Sequence, residues 1–414
     1  MTSNYAEVAV IGGGIIGLAS AYELAVSGVD VVVFERRGIS SGTTGGSAGV
    51  VCRHDLGELY AVMTLMGYDR VVRLSRDNGL DFHRYGSLYI WADEASAPKR
   101  SAFETAYGSG PDGIYHSERL TPDQARRRFP WLPADGVAGA AFSPNQGFIN
   151  PYELVDLYAR LAVETGRVRI FPGTPVLAVN HDGASVTELV TRRGPWRVGT
   201  VVNAAGPWGG KVAALAGRDI ELVPQRIQVV AATGYDDGIE RMPLIGLPEP
   251  VDGEHLWCRG EEGGMVLFGQ HHNIPEPRFT VDPDFADMSN DDGLPEAVAN
   301  VARRIWQMPT ARFLPGWNCI YGMTPDGYPL IGPDPVLGNL IHALGCNGHG
   351  ITMHLGFAMS VVAAVRGDPP VLQLGDVPGA PETLEVGCLS PDRFASGGHL
   401  AFDPERPTPT RPAR

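Results

Sequence analysis

The stretch EVAVIGGGIIGLASAYELAVSGVDVVVFE, residues 7–35, decides the fold of this chain. Its first five residues form a β-branched apolar run that ends in glycines, which is typical of a buried parallel strand. Apolar side chains then recur at helical spacing over residues 15–26, and residues 29–34 make a second strand-like run before Glu35. The order strand, tight turn, helix, strand predicts a βαβ unit.

Residues 12–17 of that unit fit the pattern G-x-G-x-x-G. Gly12 permits the tight turn, Gly14 lets the backbone approach a pyrophosphate, and Gly17 lets helix and strand pack closely. The helix N-terminus adds amide donors, and Glu35 is placed to accept hydrogen bonds from ribose hydroxyls. A tight turn in another α/β fold and an NAD-type dehydrogenase are the alternatives at this point. The residues predicted to hold the dinucleotide are Gly12, Gly14, Ile15, Ile16, Gly17, Glu35 and Arg36.

Length, charge and cysteine usage limit the class of protein. A chain of 414 residues exceeds one hydrophobic core and predicts two interleaved domains. The net charge of −14 argues against nucleic acid as a partner, because phosphate binding needs clustered cations. The five cysteines form no C-x-x-C pair, and we predict no metal site. The absence of a signal-like N-terminus and of a spanning apolar run predicts a cytoplasmic protein with no membrane span.

Further along the chain the pattern alternates between strands and helices. The glycine-rich segment GISSGTTGGSAG, which we call the second loop (residues 38–49), is too long for a simple turn and is predicted to be functional. Residues 221–330 are rich in strand, glycine and proline, with one helical stretch at 295–306. The other predicted elements are helices at 152–165 and 351–366 and strands at 168–171, 176–180, 186–191, 198–205 and 341–344.

Four segments beyond G-x-G-x-x-G resemble the D-amino-acid oxidase superfamily of FAD-dependent amine oxidoreductases. They are SSGTTGGSAG (40–49), GFINPYELVDLYA (147–159), VVNAAGPWGGKVAALAG (201–217), and YGMTPDGYPLIG (321–332) with ALGCNGHGITMHLGFAM (343–359).

The resemblance implies a mixed fold, α/β plus α+β. A Rossmann-type FAD-binding domain (residues 1–77, 146–218 and 319–394) is interleaved with an antiparallel-sheet substrate domain (78–145 and 219–318), and residues 395–414 form a flexible tail.

The same segments imply the remaining contacts to FAD. The strand, glycine turn and helix at the C-terminal end make a second anion site, whose helix dipole stabilises the negative charge of the reduced flavin. The further FAD-binding residues implied are Ser41, Thr43, Thr44, Ser47, Ala48, Val176, Ala205, Gly206, Gly348, His349, Gly350, Ile351 and Thr352.

The segment from Cys319 to Asp326 is similar to the C-x-Y-x-x-T-P-D segment of sarcosine and pipecolate oxidases. There the cysteine carries a thioether bond to the flavin, so the resemblance implies covalent FAD attached through Cys319. The alternative is a small buried cysteine, because free Cys behaves as a small hydrophobe.

The resemblance implies oxidation of the C–N bond of an amine or amino-acid-like substrate to an imine by hydride transfer to flavin N5. Its catalytic residues are predicted to be His271, Tyr321 and Arg53, with His272 as a rival to His271. The electron acceptor is O2 or another molecule.

The chain departs from the family pattern at the positions that handle oxygen and carboxylate. Leu267 replaces the lysine that activates oxygen in those relatives, and the two lysines of the chain, Lys99 and Lys211, lie elsewhere in the sequence. Cys52 and Thr352 replace the basic residues that bind the substrate carboxylate.

Two other functions stay open. One is FAD-dependent oxidation of a 2-hydroxy acid or another alcohol, and the other is a non-catalytic FAD-binding subunit. The residues Trp257, Phe268, Trp306 and Trp317 indicate an aromatic-lined substrate pocket or, alternatively, core packing.

Overall fold

The computed structural model describes residues 4–52, 57–91, 110–132, 136–233, 238–246, 256–272, 274–286 and 312–394, with positions 93, 94, 97, 108, 293, 298 and 299. The described helices are α1 Ile15–Val26, α2 Glu58–Asn78, α3 Pro122–Arg128, α4 Pro151–Glu164, α5 Gly209–Ala214 and α6 Gly350–Arg366.

The described strands up to residue 191 are β1 Asn4–Ile11, β2 Val31–Phe34, β3 Val50–Val51, β4 Phe82–His83, β5 Ser87–Trp91, β6 Glu118–Leu120, β7 Gly139–Ser143, β8 Gly147–Ile149, β9 Val168–Phe171, β10 Val176–His181 and β11 Val186–Thr191. The remainder are β12 Gly194–Asn203, β13 Val223–Thr233, β14 Leu244–Gly246, β15 Leu256–Glu261, β16 Met265–Gln270, β17 Arg312–Met323, β18 Leu330–Pro333, β19 Leu340–Leu344, β20 Val371–Gln373 and β21 Thr383–Glu385.

The first large sheet has a parallel centre in the order β9-β2-β1-β12-β19. The hairpin β10-β11 pairs antiparallel with the early half of β12, and β18 pairs antiparallel with β19. Helices α1, α2, α4 and α6 cover one face, where their apolar side chains form the largest core cluster. The carboxyl ends of β1, β2 and β12 therefore meet at one edge, which is where open α/β sheets bind ligands.

The second large sheet runs in the order β17-β13-β16-β15-β14-β5-β7-β6, and apart from the parallel β14-β5 pair its neighbours are antiparallel. All of its strands come from residues 87–143 and 223–323. The predicted fold class, a Rossmann-type unit with an interleaved antiparallel sheet, is confirmed. The domain boundaries stay a prediction.

Most predicted elements have the expected type, and their bounds shift for local reasons. The strand predicted at 29–34 begins at Val31 because Gly28, with φ of 95°, and Val29 complete the turn after α1. The strand predicted at 198–205 runs from Gly194 to Asn203. Helix α4 begins one residue early because the Asn150 side chain accepts a hydrogen bond of 2.9 Å from the Tyr152 amide.

Other parts of the sequence prediction are not tested by the described residues, or missed an element that the structure contains. Of the helical stretch predicted at 295–306 only positions 298 and 299 are described, and both are helical, whereas the flexible tail predicted at 395–414 lies outside the described residues. Helix α2, a 21-residue element that packs against α6, was not resolved from the sequence. The two helices approach closely at Gly67, where an added Cβ would lie 1.7 Å from the Thr352 carbonyl oxygen. No described helix is long and apolar enough to cross a membrane.

Candidate functional site

The turn between β1 and α1 leaves no room for side chains. Gly12 has a φ of 119°, and a Cβ there would lie 2.4 Å from the Ala204 carbonyl oxygen. A Cβ on Gly17 would lie 2.0 Å from the Gly12 carbonyl oxygen, so strand and helix can approach this closely only without one. The glycine spacing of the sequence is therefore required by backbone packing.

The acidic residue at the end of β2 turns back onto this turn. Oε2 of Glu35 accepts a hydrogen bond of 2.8 Å from the Gly13 amide, and Oε1 accepts one of 2.7 Å from the Arg37 amide. The carboxylate is thereby fixed beside the glycine turn, as ribose binding at the end of a second Rossmann strand requires.

The second loop lies over the start of α1 and is held from the second sheet. The Thr44 hydroxyl accepts a hydrogen bond of 3.2 Å from the Ile15 amide. Three groups of the loop then bond to the second sheet: the Thr43 hydroxyl donates to the Ile320 carbonyl, the Trp317 indole donates to the Gly46 carbonyl at 2.9 Å, and Arg259 donates to the Ala48 carbonyl at 3.0 Å.

The C-terminal turn closes the other end of the site. Helix α6 begins at Gly350, so its N-terminus and the positive end of its dipole lie at this turn. Gly348 has a φ of 86°, and a Cβ there would lie 2.6 Å from Cε2 of Tyr321 and 3.0 Å from Cε1 of His271. The ring centroids of His271 and His349 are 4.7 Å apart. Two of the predicted catalytic side chains thus meet at one glycine.

These segments line one cavity of about 320 Å³, within the size range of ligand pockets. The predicted cofactor residues that line it are Gly12, Gly14, Ile15, Ile16, Glu35, Arg36, Ser41, Thr43, Thr44, Ser47, Val176, Ala205, Gly206, Gly348, Gly350 and Ile351.

The other predicted cofactor residues lie behind that lining. Gly17 is packed under the first turn, and the Ala48 carbonyl points to the second sheet. Cys319 lies against the second loop, where a Cβ on Gly46 would be 2.5 Å from its own Cβ. His349 contacts His271, and the Thr352 hydroxyl donates 3.2 Å to the Val50 carbonyl.

The catalytic candidates differ in position. Tyr321 lines the cavity, and burial raises the pKa of its phenol, so it stays neutral. His272, the rival of His271, packs instead against Phe279 with a ring-centroid distance of 5.5 Å. Arg53 lies outside the described residues.

Leu267, which stands in the sequence where the oxygen-activating lysine was expected, can also be located, together with the predicted pocket aromatics. Leu267 is buried in a small apolar cluster with the neighbouring Trp257 and Trp317. Of the four predicted pocket aromatics, these two therefore share one face of the second sheet. Phe268 belongs to the core on the opposite face, and Trp306 lies outside the described residues.

A charged group at the Glu35 end was missed by sequence reasoning. Asp284, which lines the cavity, accepts hydrogen bonds of 2.9 Å from Arg36, 2.9 Å from the Trp208 indole and 2.6 Å from Lys211. The Lys211 and Arg36 hydrogen bonds lower the pKa of Asp284 to about 2. No signal in the sequence connects Asp284 with residues more than 70 positions away.

Asn347 was missed as well. It adopts a φ of 48° and is buried in the C-terminal turn. Its side chain donates 2.8 Å to the Gly327 carbonyl and 2.9 Å to the Gly345 carbonyl, and it accepts 2.8 Å from the Thr324 amide. Asparagine is the ordinary residue most tolerant of this backbone region, and that was the available signal.

The residues present fit a flavin dinucleotide. The glycine turns admit no Cβ, which lets a pyrophosphate approach the backbone, and Nη2 of Arg36, a residue of the cavity lining, is buried with no hydrogen-bond partner among the described residues. Glu35, which is predicted to bind ribose, and Gly348 of the C-terminal turn both belong to the cavity lining, so one cavity reaches both predicted parts of the cofactor site. Fold and site together define a dinucleotide-binding oxidoreductase.

The family follows from comparison with known proteins. The chain belongs to the FAD dependent oxidoreductase family, whose profile matches residues 7–364. It is 26% identical over 385 residues to the mitochondrial dimethylglycine dehydrogenase of Homo sapiens, covering 88% of this chain and 43% of that protein. It is 26% identical over 374 residues to 4-methylaminobutanoate oxidase (formaldehyde-forming) of Paenarthrobacter nicotinovorans, covering 89% of this chain and 44% of that protein.

The chain thus spans less than half the length of these relatives. Among solved structures, it resembles L-proline dehydrogenase from P. horikoshii with a TM-score of 0.79 and 23% identity, over 95% of this chain and 99% of that one. That likeness shows the fold.

Proposed function

We propose that this chain binds FAD in the cavity and oxidises the C–N bond of an amine or amino-acid-like substrate to an imine. The names of both relatives above specify an N-methylated amino acid, dimethylglycine in one and 4-methylaminobutanoate in the other. We therefore favour an N-alkylated amino acid as the substrate class.

The observation that carries this proposal is the meeting of His271 and Tyr321 at Gly348. Tyr321 and Gly348 line the cavity, and His271 lies against Gly348 beside it. An imidazole there can take a proton from the substrate ammonium, which leaves the nitrogen lone pair free to assist oxidation. A phenol that stays neutral at this depth can orient the substrate by donating a hydrogen bond. When bound, FAD supplies the two-electron oxidant.

The proposed FAD contacts divide along the cavity. Glu35 and Arg36 bind the adenosine end, and the first turn and the second loop bind the pyrophosphate. The turn before α6 binds the flavin ring, where the helix dipole favours negative charge on the reduced cofactor. Ala48, His349 and Thr352 support these contacts from behind.

The electron acceptor is O2 or another molecule. Leu267 packs among apolar side chains, so no lysine ammonium is present at that position to assist oxygen reduction. His271, when protonated, is the cation we propose for this role if oxygen is the acceptor.

We further propose covalent attachment of FAD through Cys319, which lies beside Gly46 of the second loop and two residues before Tyr321. Bond formation between its Sγ and the 8α carbon releases two protons and leaves two electrons for the acceptor to remove. Burial raises the pKa of the Cys319 thiol to about 12, so the bound cofactor would have to promote its ionisation. Cys346 lines the cavity and is the competing thiol.

Denaturing gel electrophoresis with in-gel flavin fluorescence tests the attachment. A fluorescent band is expected for the wild type and for Cys346→Ser, and a dark band for Cys319→Ser. A dark wild-type band, or a fluorescent band in Cys319→Ser, would contradict attachment at this residue.

The reaction is tested by anaerobic bleaching of the flavin absorbance with a panel of N-methyl amino acids, primary amino acids, 2-hydroxy acids and simple alcohols. Bleaching by the N-methyl amino acids is expected. Bleaching by a hydroxy acid alone would favour alcohol oxidation, and no bleaching by any member would favour a non-catalytic flavin subunit. Repeating the assay in air with peroxide detection, then with an artificial acceptor, separates an oxidase from a dehydrogenase.

A further inference from the structure

The second loop receives part of its conformation from the second sheet. The carbonyls of Gly46 and Ala48 accept hydrogen bonds from Trp317 on β17 and Arg259 on β15. Two other residues of the same loop, Thr44 and Ser47, line the cavity. Two side chains more than 200 residues away in sequence thus orient this part of the wall.

Arg259 is the charged member of this pair. It is only 6% exposed, and its Nε donates 3.0 Å to the Ala48 carbonyl. Its other contacts fix the guanidinium in place: Nη1 donates 2.6 Å to the Gly260 carbonyl, Nη2 donates 2.7 Å to Glu261, and the group stacks over the Phe148 ring at 4.5 Å. A planar donor held on three sides is pre-organised to hold a carbonyl.

The register of the sheet places Arg259 on the face that looks toward the cavity. It lies directly opposite Leu267 on β16, and side chains alternate along a strand, so Leu267 and His271 share that face. Phe148, under the guanidinium, pairs with Val50, whose carbonyl accepts a hydrogen bond from Thr352 at the start of α6. Arg259 therefore connects the second sheet to the second loop directly, and to the start of α6 through Phe148 and Val50.

We propose that Arg259 is a positioning residue for the flavin site: it fixes the Gly46–Ala48 part of the second loop against the second sheet. The bond from Trp317 assists it. This inference rests on the proposed flavin site, but not on the substrate or the reaction proposed for it.

Hydrogen–deuterium exchange of the full chain as purified tests the proposal without substrate. In Arg259→Gln, the amides of residues 43–49 are expected to exchange about tenfold faster, because a charge-assisted hydrogen bond is lost. The fraction of chains that carry flavin is expected to fall in parallel. Peptides from β20 and β21, which form a separate two-stranded sheet, report whether the rest of the fold is intact.

Rescue separates positioning from bulk packing. The lysine of Arg259→Lys can still donate to the Ala48 carbonyl but lacks the planar fork, so exchange and flavin content are expected to lie between those of Arg259→Gln and wild type. Arg259→Met keeps the aliphatic volume but cannot donate, and it is expected to resemble Arg259→Gln. The matched control is Glu261→Gln, which alters a partly exposed partner of Arg259 and leaves the bond to Ala48, so the loop should exchange as in wild type.

If Arg259→Gln does not fold, Arg259→Lys and Trp317→Phe carry the test. Trp317→Phe keeps an aromatic ring, although a smaller one, and removes the donor to Gly46, so faster exchange at residues 46–47 is expected. Unchanged loop exchange and flavin content in the folded Gln and Met variants, or in Arg259→Lys if these do not fold, would overturn the proposal. Failure of the substrate panel with loop exchange behaving as expected would refute only the proposed reaction.

Discussion

Replacing Arg393 with methionine removes one half of an ion pair whose side chains are both fully buried. Nε of Arg393 donates 2.9 Å and Nη2 donates 3.1 Å to the two carboxylate oxygens of Asp326. The same guanidinium also donates to the Leu389 and Tyr328 carbonyls. Asp326 lies in the turn that Asn347 holds against the cavity, so the pair attaches the C-terminal segment to the flavin site.

The magnitude follows from that geometry. Removing one partner of a buried ion pair costs about 3–5 kcal/mol, because the remaining charge stays desolvated without its counter-charge. A domain of ordinary stability has about 5–15 kcal/mol in total, so this loss is a large fraction of it. The double variant Asp326→Leu with Arg393→Met removes both charges and should recover most of the loss.

Urea unfolding followed by tryptophan fluorescence measures the cost, with flavin content as a second reading. The matched control is Arg366→Met, since the Arg366–Asp368 pair is about half exposed on both sides and should contribute less than about 1 kcal/mol. The reasoning is refuted if Arg393→Met costs no more than Arg366→Met, or if the double variant is less stable than the single one.

Three further outcomes are expected. Burial lowers the pKa of His354 from 6.5 to about 4, so between those pH values the unfolded chain binds more protons than the folded one. The free energy of unfolding should therefore decrease by roughly 3 kcal/mol as the pH is lowered from 6.5 to 4. Urea titrations across that window should show a flatter dependence for His354→Gln, and an equally steep one would contradict the assignment. Gly348→Ala places a Cβ 2.6 Å from Tyr321 at a positive φ and should abolish substrate bleaching of the flavin, whereas bleaching at the wild-type rate would refute the crowding argument. In Gly17→Ala the added Cβ would lie 2.0 Å from a backbone oxygen, so this variant should purify without flavin, and full flavin content would count against a tightly packed first turn. The control for both glycine variants is Gly338→Ala, whose added Cβ meets no described atom within 4 Å.

The βαβ unit and most elements near it were predictable because their signals are local. Apolar periodicity along a few residues distinguishes strand from helix, and the spacing of Gly12, Gly14 and Gly17 follows from one turn of backbone. Helix α2 was harder, because residues 59–68 are all buried and leave no polar face, and no side chain caps the N-terminus of the helix at Gly57.

The choice between neighbouring histidines shows what a sequence cannot resolve. His271 and His272 have the same chemistry and adjacent positions, and only the direction in which the chain leaves β16 places the first at Gly348 and the second against Phe279. Cys319 and Cys346 differ in the same way, since only the folded chain brings one to the second loop and the other to the cavity wall.

The sequence by itself determined that the chain begins with a dinucleotide-binding unit, since strand, glycine turn and helix are specified by contacts within about thirty residues. The tertiary structure alone decided which distant groups complete that site. Arg259 reaches Ala48 across 211 positions, and Asp284 reaches Arg36 across 248. Such contacts depend on how two sheets pack, and packing selects partners by shape and charge in space, which no spacing along the chain records.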